Sequence, residues 1–329
     1  MISIALLGAG RIGQIHGRNI AASPRARLAA ISDPVPDGAE ALAAVTGASV
    51  MDADAVFASS GIDAVLIATP TDTHADFIER AAAAGKAVLC EKPIDMSAER
   101  IRQTLSKVEA AGVTLMIGFN RRFDPNFAAL QRRLAEGEVG DVELVTILSR
   151  DPAPPPVSYV ERSGGLFRDM MIHDFDMARF LLGEEIVEVQ AVGSALIDPA
   201  IGKAGDVDTA AVVMKTASGR ICQISNSRRA TYGYDQRIEV HGSKGLLSAG
   251  NVHETTVRFA GASGVTADPV QNFFLERYAA AYRDELEAFV DALESGTKPP
   301  PDGLDGLKAQ QLADAATQAC FSGKPVRLD

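Results

Sequence analysis

Short apolar runs alternate with amphipathic stretches along the first third of the chain. Apolar runs fall at 1–7, 27–32, 64–68, 87–90 and 113–117, and helical periodicity fills 13–22, 39–45, 53–58, 75–84 and 97–111. Runs of this kind, apolar on both sides, are what a strand covered by helices on both faces requires. The alternation therefore predicts an α/β fold whose N-terminal part is a Rossmann-type, doubly wound parallel sheet. Ser97 is placed to cap the helix it begins, and Gly112 to close it.

The pattern changes after Phe119. A helix is expected at 125–136, and alternating strands at 142–148, 187–196, 209–216, 221–225, 237–241, 246–248 and 256–259. Strands that follow one another without crossover helices indicate a large open mixed or antiparallel sheet, so the second part reads as an α+β domain. Single helices are expected at 169–182, 273–293 and 304–320, with Pro299, Pro300 and Pro301 breaking the chain before the last. The expected domains are 1–120 and 121–329, with 303–321 free to pack back on the first.

Composition narrows the function classes. The 329 residues are 47% hydrophobic with a net charge of −11, which excludes disorder and disfavours a nucleic-acid surface. Cys90, Cys222 and Cys320 stand far apart and form no metal or redox motif, as expected in a reducing cytoplasm. No apolar run is long enough to span a bilayer, and the chain opens directly on a strand without a leader. The expectation is a soluble cytoplasmic protein with a small-molecule partner and no membrane or nucleic-acid partner.

Candidate chemistry clusters at strand ends. Gly8, Gly10 and Gly13, with Arg11 and Ile12 between them, follow the first strand and open its helix in the spacing G-x-G-x-x-G. There the first glycine allows the turn, the second lets the backbone approach a pyrophosphate, and the third lets helix and strand close up. Asp33 ends the second strand, where a carboxylate accepts from the adenosine 2′-hydroxyl of NAD and repels the 2′-phosphate of NADP. Two alternatives stay open: Asp33 could cap the turn before Pro34, and Arg11 and Arg27 could serve NADP. Ligands bind beyond the carboxyl ends of such strands, which singles out Thr69, Pro70 and His74, then Glu91 and Lys92, then 118–124. His74 could equally be a helix-start histidine bonded to backbone.

Lys92 precedes Pro93 at a strand end and could polarise a substrate oxygen, or pair with Glu91 on the surface. Asp169 and His173 stand four apart, on one face of the expected helix, so the carboxylate could orient the histidine as a base. A metal held by Asp169, His173 and Asp176 lacks further ligands at local spacing, and no metal is expected. Asp174 and Asp176 read as solvated or paired with arginine. Asn120, Arg121, Asp151, Tyr232, Tyr234 and Tyr278 could hold a hydroxylated substrate.

Taken together, the glycine loop, Thr69 to His74, Glu91 to Pro93, Gly164 to Asp176 and Tyr232 to Gly245 resemble the glucose–fructose oxidoreductase/inositol dehydrogenase/rhizopine-catabolism (Gfo/Idh/MocA) family over the whole chain. The likeness is strongest to its inositol-oxidising members. It implies an NAD-dependent oxidoreductase, commonly tetrameric, that converts a ring hydroxyl of a cyclitol to a ketone, with myo-inositol going to scyllo-inosose. It implies that Lys92, Asp169 and His173 are catalytic, and that the peptide before Pro93 has a special geometry. Asn120 falls where inositol dehydrogenases vary. Oxidation of another inositol isomer or a sugar such as glucose, an NAD-dependent glycosidase, and a sensor without chemistry remain the alternatives.

Overall fold

The computed structural model describes residues 1–328. The chain divides into two compact units, Met1–Asn120 with Ala281–Gln310, and Arg121–Ala280 with the residues from Gln311 on.

The first unit alternates strand and helix: β1 (Ile2–Leu7), α1 (Arg11–Ala22), β2 (Ala26–Ser32), α2 (Pro36–Thr46), β3 (Ser49–Val50), α3 (Ala53–Ala58), β4 (Ala64–Ile67), α4 (His74–Ala83), β5 (Ala87–Glu91), α5 (Ala98–Ala111) and β6 (Leu115–Gly118). The strands form one parallel sheet in the order β3-β2-β1-β4-β5-β6. Strand order reverses between β1 and β4, which places the glycine loop at the switch point. Ile4, Ala5, Leu6, Val65, Ile67, Val88 and Cys90 are all buried, as expected of strands covered on both faces. Residues 281–310 complete this unit. Ile117 donates its N–H to Pro301 O at 3.0 Å, and a Cβ on Gly306 would stand 2.7 Å from Ile94, so backbone approaches closely there.

The second unit and the chain that follows contain α6 (Pro125–Ala135), β7 (Val142–Arg150), α7 (Val157–Ser163), α8 (Gly165–Asp169), α9 (Ile172–Leu182), β8 (Ile186–Ser194), α10 (Pro199–Lys203), β9 (Thr209–Thr216), β10 (Ile221–Ser227), β11 (Asp235–Gly242), β12 (Gly245–Ala249), β13 (Arg258–Gly261), β14 (Gly264–Ala267), α11 (Phe274–Arg277), α12 (Ala279–Ser295), α13 (Gly303–Ser322) and β15 (Val326–Arg327). Seven strands make one mixed sheet, β12-β11-β7-β10-β9-β8-β15, in which only β7 and β10 run parallel. Along β9, Ala210, Val212, Met214 and Thr216 face the core while alternate residues face out. Helix α9 lies against β7 and β10.

Three expectations are corrected. The helix expected over 169–182 is two helices, separated at Met170 and Met171. Both of these residues donate their N–H to Leu166 O, at 3.1 and 2.9 Å, which widens the turn. Leu166, Phe167, Met170, Met171, Ile172 and Phe175 are all buried, so apolar periodicity runs through the break without marking it. Asp169 and His173 therefore end one helix and begin the next rather than sharing a face. The helix expected over 273–293 likewise breaks at Tyr278 (φ −109°, ψ 16°), beside Arg277, which turns into a buried ion pair with Asp124. The strand expected at 256–259 is shifted to Arg258–Gly261 and pairs with Gly264–Ala267 as an exposed ribbon apart from the large sheet.

Candidate active site

In the first unit the glycine loop has a physical reason at each glycine. Gly8 adopts φ +95°, and a Cβ there would stand 2.5 Å from Ala68 O. A Cβ on Gly13 would stand 2.0 Å from Gly8 O, so the third glycine is what lets α1 close on β1. A Cβ on Gly10 meets nothing within 4 Å: open space lies above the turn. Helix α1 has no side-chain cap and no acid in its first turn, so its N–H groups and positive pole point at that space. A pyrophosphate fits this cradle.

Asp33 makes the turn-capping contact expected as its alternative role and a second contact to the glycine loop. Its Oδ2 accepts from Ala9 N at 2.6 Å within the glycine loop, and its Oδ1 accepts from Val35 N at 2.8 Å in the following turn. The carboxylate thus locks the end of β2 to the glycine loop.

His74 is buried. Its Nδ1 is 2.8 Å from Pro93 O and its Nε2 is 2.8 Å from Thr69 O. It ties the turn after β4 to the turn after β5, so Thr69, Pro70 and Lys92 are held along one edge of the sheet. The Lys92–Pro93 peptide is cis. Glu91 turns its carboxylate to His16, with Oε1 2.7 Å from Nε2.

In the second unit the structure gathers Asp151, Tyr159, Asp169 and Arg228. Tyr159 donates its hydroxyl to Asp169 Oδ1 at 2.9 Å, and the Arg228 guanidinium approaches Asp169 Oδ2 at 3.4 Å. Asp151 follows β7. Burial pushes its carboxyl up to about 6; Arg228 pulls against this shift, while Asp169 adds to it. A buried arginine among carboxylates gives the group a polar, oriented interior suited to hydroxylated ligands.

His173 lies in the first turn of α9, next to Asp174. The Asp174 carboxylate is fully buried and accepts from Arg121, from Ser149 Oγ at 2.6 Å and from Asn226 Nδ2 at 2.9 Å. Tyr278 in turn donates to Gln236 Oε1 at 3.2 Å, and Ser149 Oγ lies 3.1 Å from the same oxygen. Burial raises the Tyr278 hydroxyl to about 12. This network pins the start of α9 and therefore the base of the His173 side chain. Arg122 clasps Asp176 through Nε at 2.8 Å and Nη2 at 2.5 Å. Both aspartates are paired with arginine, as expected.

The candidates thus separate. Asp151 and Asp169 come together. Arg121 and Tyr278 belong to the buried network under His173. Asn120 is buried at the end of the first unit. Tyr232 is exposed and belongs to a third group, accepting from Arg150 at 3.0 Å and donating to Asp235 at 2.6 Å. Tyr159 and Arg228 were not singled out in the sequence. The pair Arg228–Arg229 follows a strand, but nothing in its spacing says which arginine turns inward.

Residues 2–119 match the model of an oxidoreductase family with an NAD-binding Rossmann fold (GFO_IDH_MocA), and residues 127–248 match the GFO/IDH/MocA C-terminal domain. The chain is 55% identical to the inositol 2-dehydrogenase of Rhizobium meliloti (strain 1021) over 99% of both chains. It is similar in structure to a myo-inositol dehydrogenase from Corynebacterium glutamicum ATCC 13032, with TM-score 0.97, 46% identity, and 100% of this chain and 99% of that one covered. A scyllo-inositol dehydrogenase from Lactobacillus casei, solved with bound NAD(H) and scyllo-inositol, superposes with TM-score 0.93 at 32% identity, covering 99% of each chain.

Proposed function

We propose that this chain, which belongs to the GFO/IDH/MocA family of NAD-binding oxidoreductases, oxidises a ring hydroxyl of a cyclitol to a ketone, with myo-inositol as first substrate and scyllo-inosose as product. The observation that carries this reading is the near-full-length identity of 55% to an inositol 2-dehydrogenase.

The residues present fit a dinucleotide: Gly8, Gly10, Arg11, Ile12 and Gly13 take the pyrophosphate, Asp33 the adenosine ribose, and Thr69, Pro70, Glu91 and Lys92 the nicotinamide end, with His74 bracing the last two turns. Bound NAD supplies the hydride acceptor. His173 takes the hydroxyl proton on an imidazole nitrogen, a step that a positioned base accelerates by about 10²–10⁴-fold. Asp169, anchored by Tyr159 and Arg228, favours the protonated imidazole. Lys92 donates to the substrate oxygen and offsets the charge that develops there. Asp151 accepts from a neighbouring ring hydroxyl. Asn120, Arg121, Tyr232 and Tyr278 complete the substrate set, Arg121 and Tyr278 by holding Asp174 and Gln236 in place.

The second reading is a preference for scyllo-inositol, favoured by the ligand held by the Lactobacillus casei protein. The chain is further proposed to work in the cytoplasm as a homotetramer. The outward face of the large sheet exposes Val192, Val213 and Ile221 at 64%, 48% and 41%, which supports assembly there. Among the described residues, no helix is long and apolar enough to cross a membrane.

The test is the rate of NADH formation with NAD or NADP against myo-, scyllo- and chiro-inositol, glucose, galactose and xylose. Turnover with NAD and myo-inositol is expected, with His173→Asn abolishing it while NAD binding is retained. Turnover with a sugar alone keeps the chemistry and discards the substrate. Bound NAD without any turnover overturns the dehydrogenase reading.

A further inference from the structure

A second group of titratable side chains lies inside the first unit and shares only Glu91 with the residues placed above. Glu285, on α12, is fully buried, and neither of its carboxyl oxygens has a hydrogen-bond partner. His16, on α1, is buried too. Its Nε2 meets Glu91 Oε1 at 2.7 Å, its Nδ1 has no hydrogen-bond partner, and Tyr282 packs edge-on against its ring at 5.4 Å. One polar atom from each of His16, Glu91 and Glu285 lies within 4.8 Å of the others. A Cβ on Gly118 would stand 3.0 Å from Glu91 Oε2, so the small residue on β6 makes room for this carboxylate.

Two carboxylates this close in a dry interior cannot both stay ionised without a positive partner, since stripping water from one such charge costs several kcal/mol. The partner is a metal ion or a proton, and the geometry decides between them. Ligands at about 2.0–2.2 Å from a tetrahedral metal stand about 3.3–3.6 Å apart. The 2.7 Å separation of His16 Nε2 and Glu91 Oε1 is that of a nitrogen donating its proton to a carboxylate. A proton on the buried His16 Nδ1 would have no acceptor within reach. Glu285, whose two oxygens are buried without a donor, is then the residue able to carry the compensating proton.

We propose that Glu285 is a buried carboxylic acid, protonated at neutral pH, which together with His16 fixes the Glu91 carboxylate and so positions the next residue, Lys92. Glu285 is a positioning residue and not a catalytic one. It acts through Glu91: Lys92 follows directly, in the bend where β5 ends, so fixing the Glu91 side chain fixes the strand end from which the Lys92 side chain leaves. The anchor runs from the phosphate-facing helix α1 through the end of β5 to α12. Burial, and then the Glu91 charge, push the Glu285 carboxyl well above its usual range, consistent with this protonation state. The positioning half of the inference rests on Lys92 taking part in the reaction; the protonation half does not.

The experiment compares wild type with Glu285→Leu and Glu285→Gln, and with Lys92→Ala as reference. Glu285→Leu is expected to lower kcat at least 10-fold with KM for NAD within about twofold, and to shift the alkaline limb of the pH–kcat profile. Glu285→Gln, which keeps a neutral polar head of the same size, is expected to recover at least a third of the lost rate. Infrared difference spectra of wild type against Glu285→Gln at pH 7.5 are expected to carry a carboxylic-acid C=O band that shifts in D₂O. The spectrum needs no turnover, so it stands even if Lys92→Ala leaves kcat untouched and the dehydrogenase roles fail. Absence of the band, or a stoichiometric metal ion lost in Glu285→Gln, overturns the protonated acid. An unchanged kcat in Glu285→Leu, or a Gln variant as impaired as Leu, overturns the positioning role. If Glu285→Leu does not fold, the Gln variant and the spectrum decide.

Discussion

Replacing Asp151 with asparagine should make the protein more stable at pH 8 and leave it little changed near pH 4. The carboxyl is raised from 3.8 to about 6 in the folded protein, chiefly by burial, with Asp169 and Asp174 adding to the Arg228 and Arg121 balance. The folded state therefore holds the proton more tightly than the unfolded chain. Between these two values the native state carries more protons, so stability falls as pH rises and levels off above about 6. A pKa unit is worth about 1.36 kcal/mol, which makes the loss about 3 kcal/mol by pH 8. Asparagine keeps the size and polarity of the side chain and has no proton to lose. For a chain of 329 residues melting as one, 3 kcal/mol corresponds to about 4 °C in Tm. The assay is thermal unfolding of both proteins from pH 4 to pH 8, read by calorimetry and circular dichroism. A Tm gap that opens with rising pH is expected, together with loss of inositol turnover. A gap of constant size across the range, or a variant less stable at pH 8, would refute the argument from burial.

Three further outcomes follow from particular contacts. Gly13→Ala should abolish NAD binding in a calorimetric titration, because its Cβ would stand 2.0 Å from Gly8 O and force α1 off β1. Asp33→Ala removes the carboxylate that accepts from Ala9 N; if that carboxylate meets the adenosine ribose as proposed, the ratio of kcat/KM for NADP to that for NAD should rise at least 10-fold, about 1.4 kcal/mol. Asp124→Asn keeps the cap of α6, where one carboxyl oxygen accepts from Asn126 and Phe127, but leaves the buried Arg277 without its counter-charge. It should cost about 3–5 kcal/mol in urea unfolding, whereas replacing both partners with apolar residues of similar volume should cost far less.

What could be read from the sequence, and what could not, differ by the range over which each feature is determined. The glycine loop is a local construction. Gly8, Gly13 and Asp33 make their contacts within one strand–helix–strand stretch, so spacing anticipated the turn and the close approach found there. The surroundings of Asp169 are not local. Its partners Tyr159 and Arg228 lie 10 and 59 positions away, and no periodicity records which of several arginines folds inward. The two overextended helices fail for a related reason. Apolar spacing reports which residues are buried, and burial at Met170 and Met171 continues while the backbone hydrogen bonds change register. At Tyr278 the same spacing continues while the chain passes from one compact unit to the other. Periodicity is therefore strongest evidence where one helix serves one core, and weakest at Asp169–His173 and Tyr278, where side chains of different duties are buried side by side. The His16–Glu91–Glu285 group is an extreme case: a histidine, a strand-end glutamate and a helical glutamate 194 positions beyond it meet only because α12 returns to the first unit. Each looks like an ordinary member of its own element, and the demand for a proton among them arises only from their assembly.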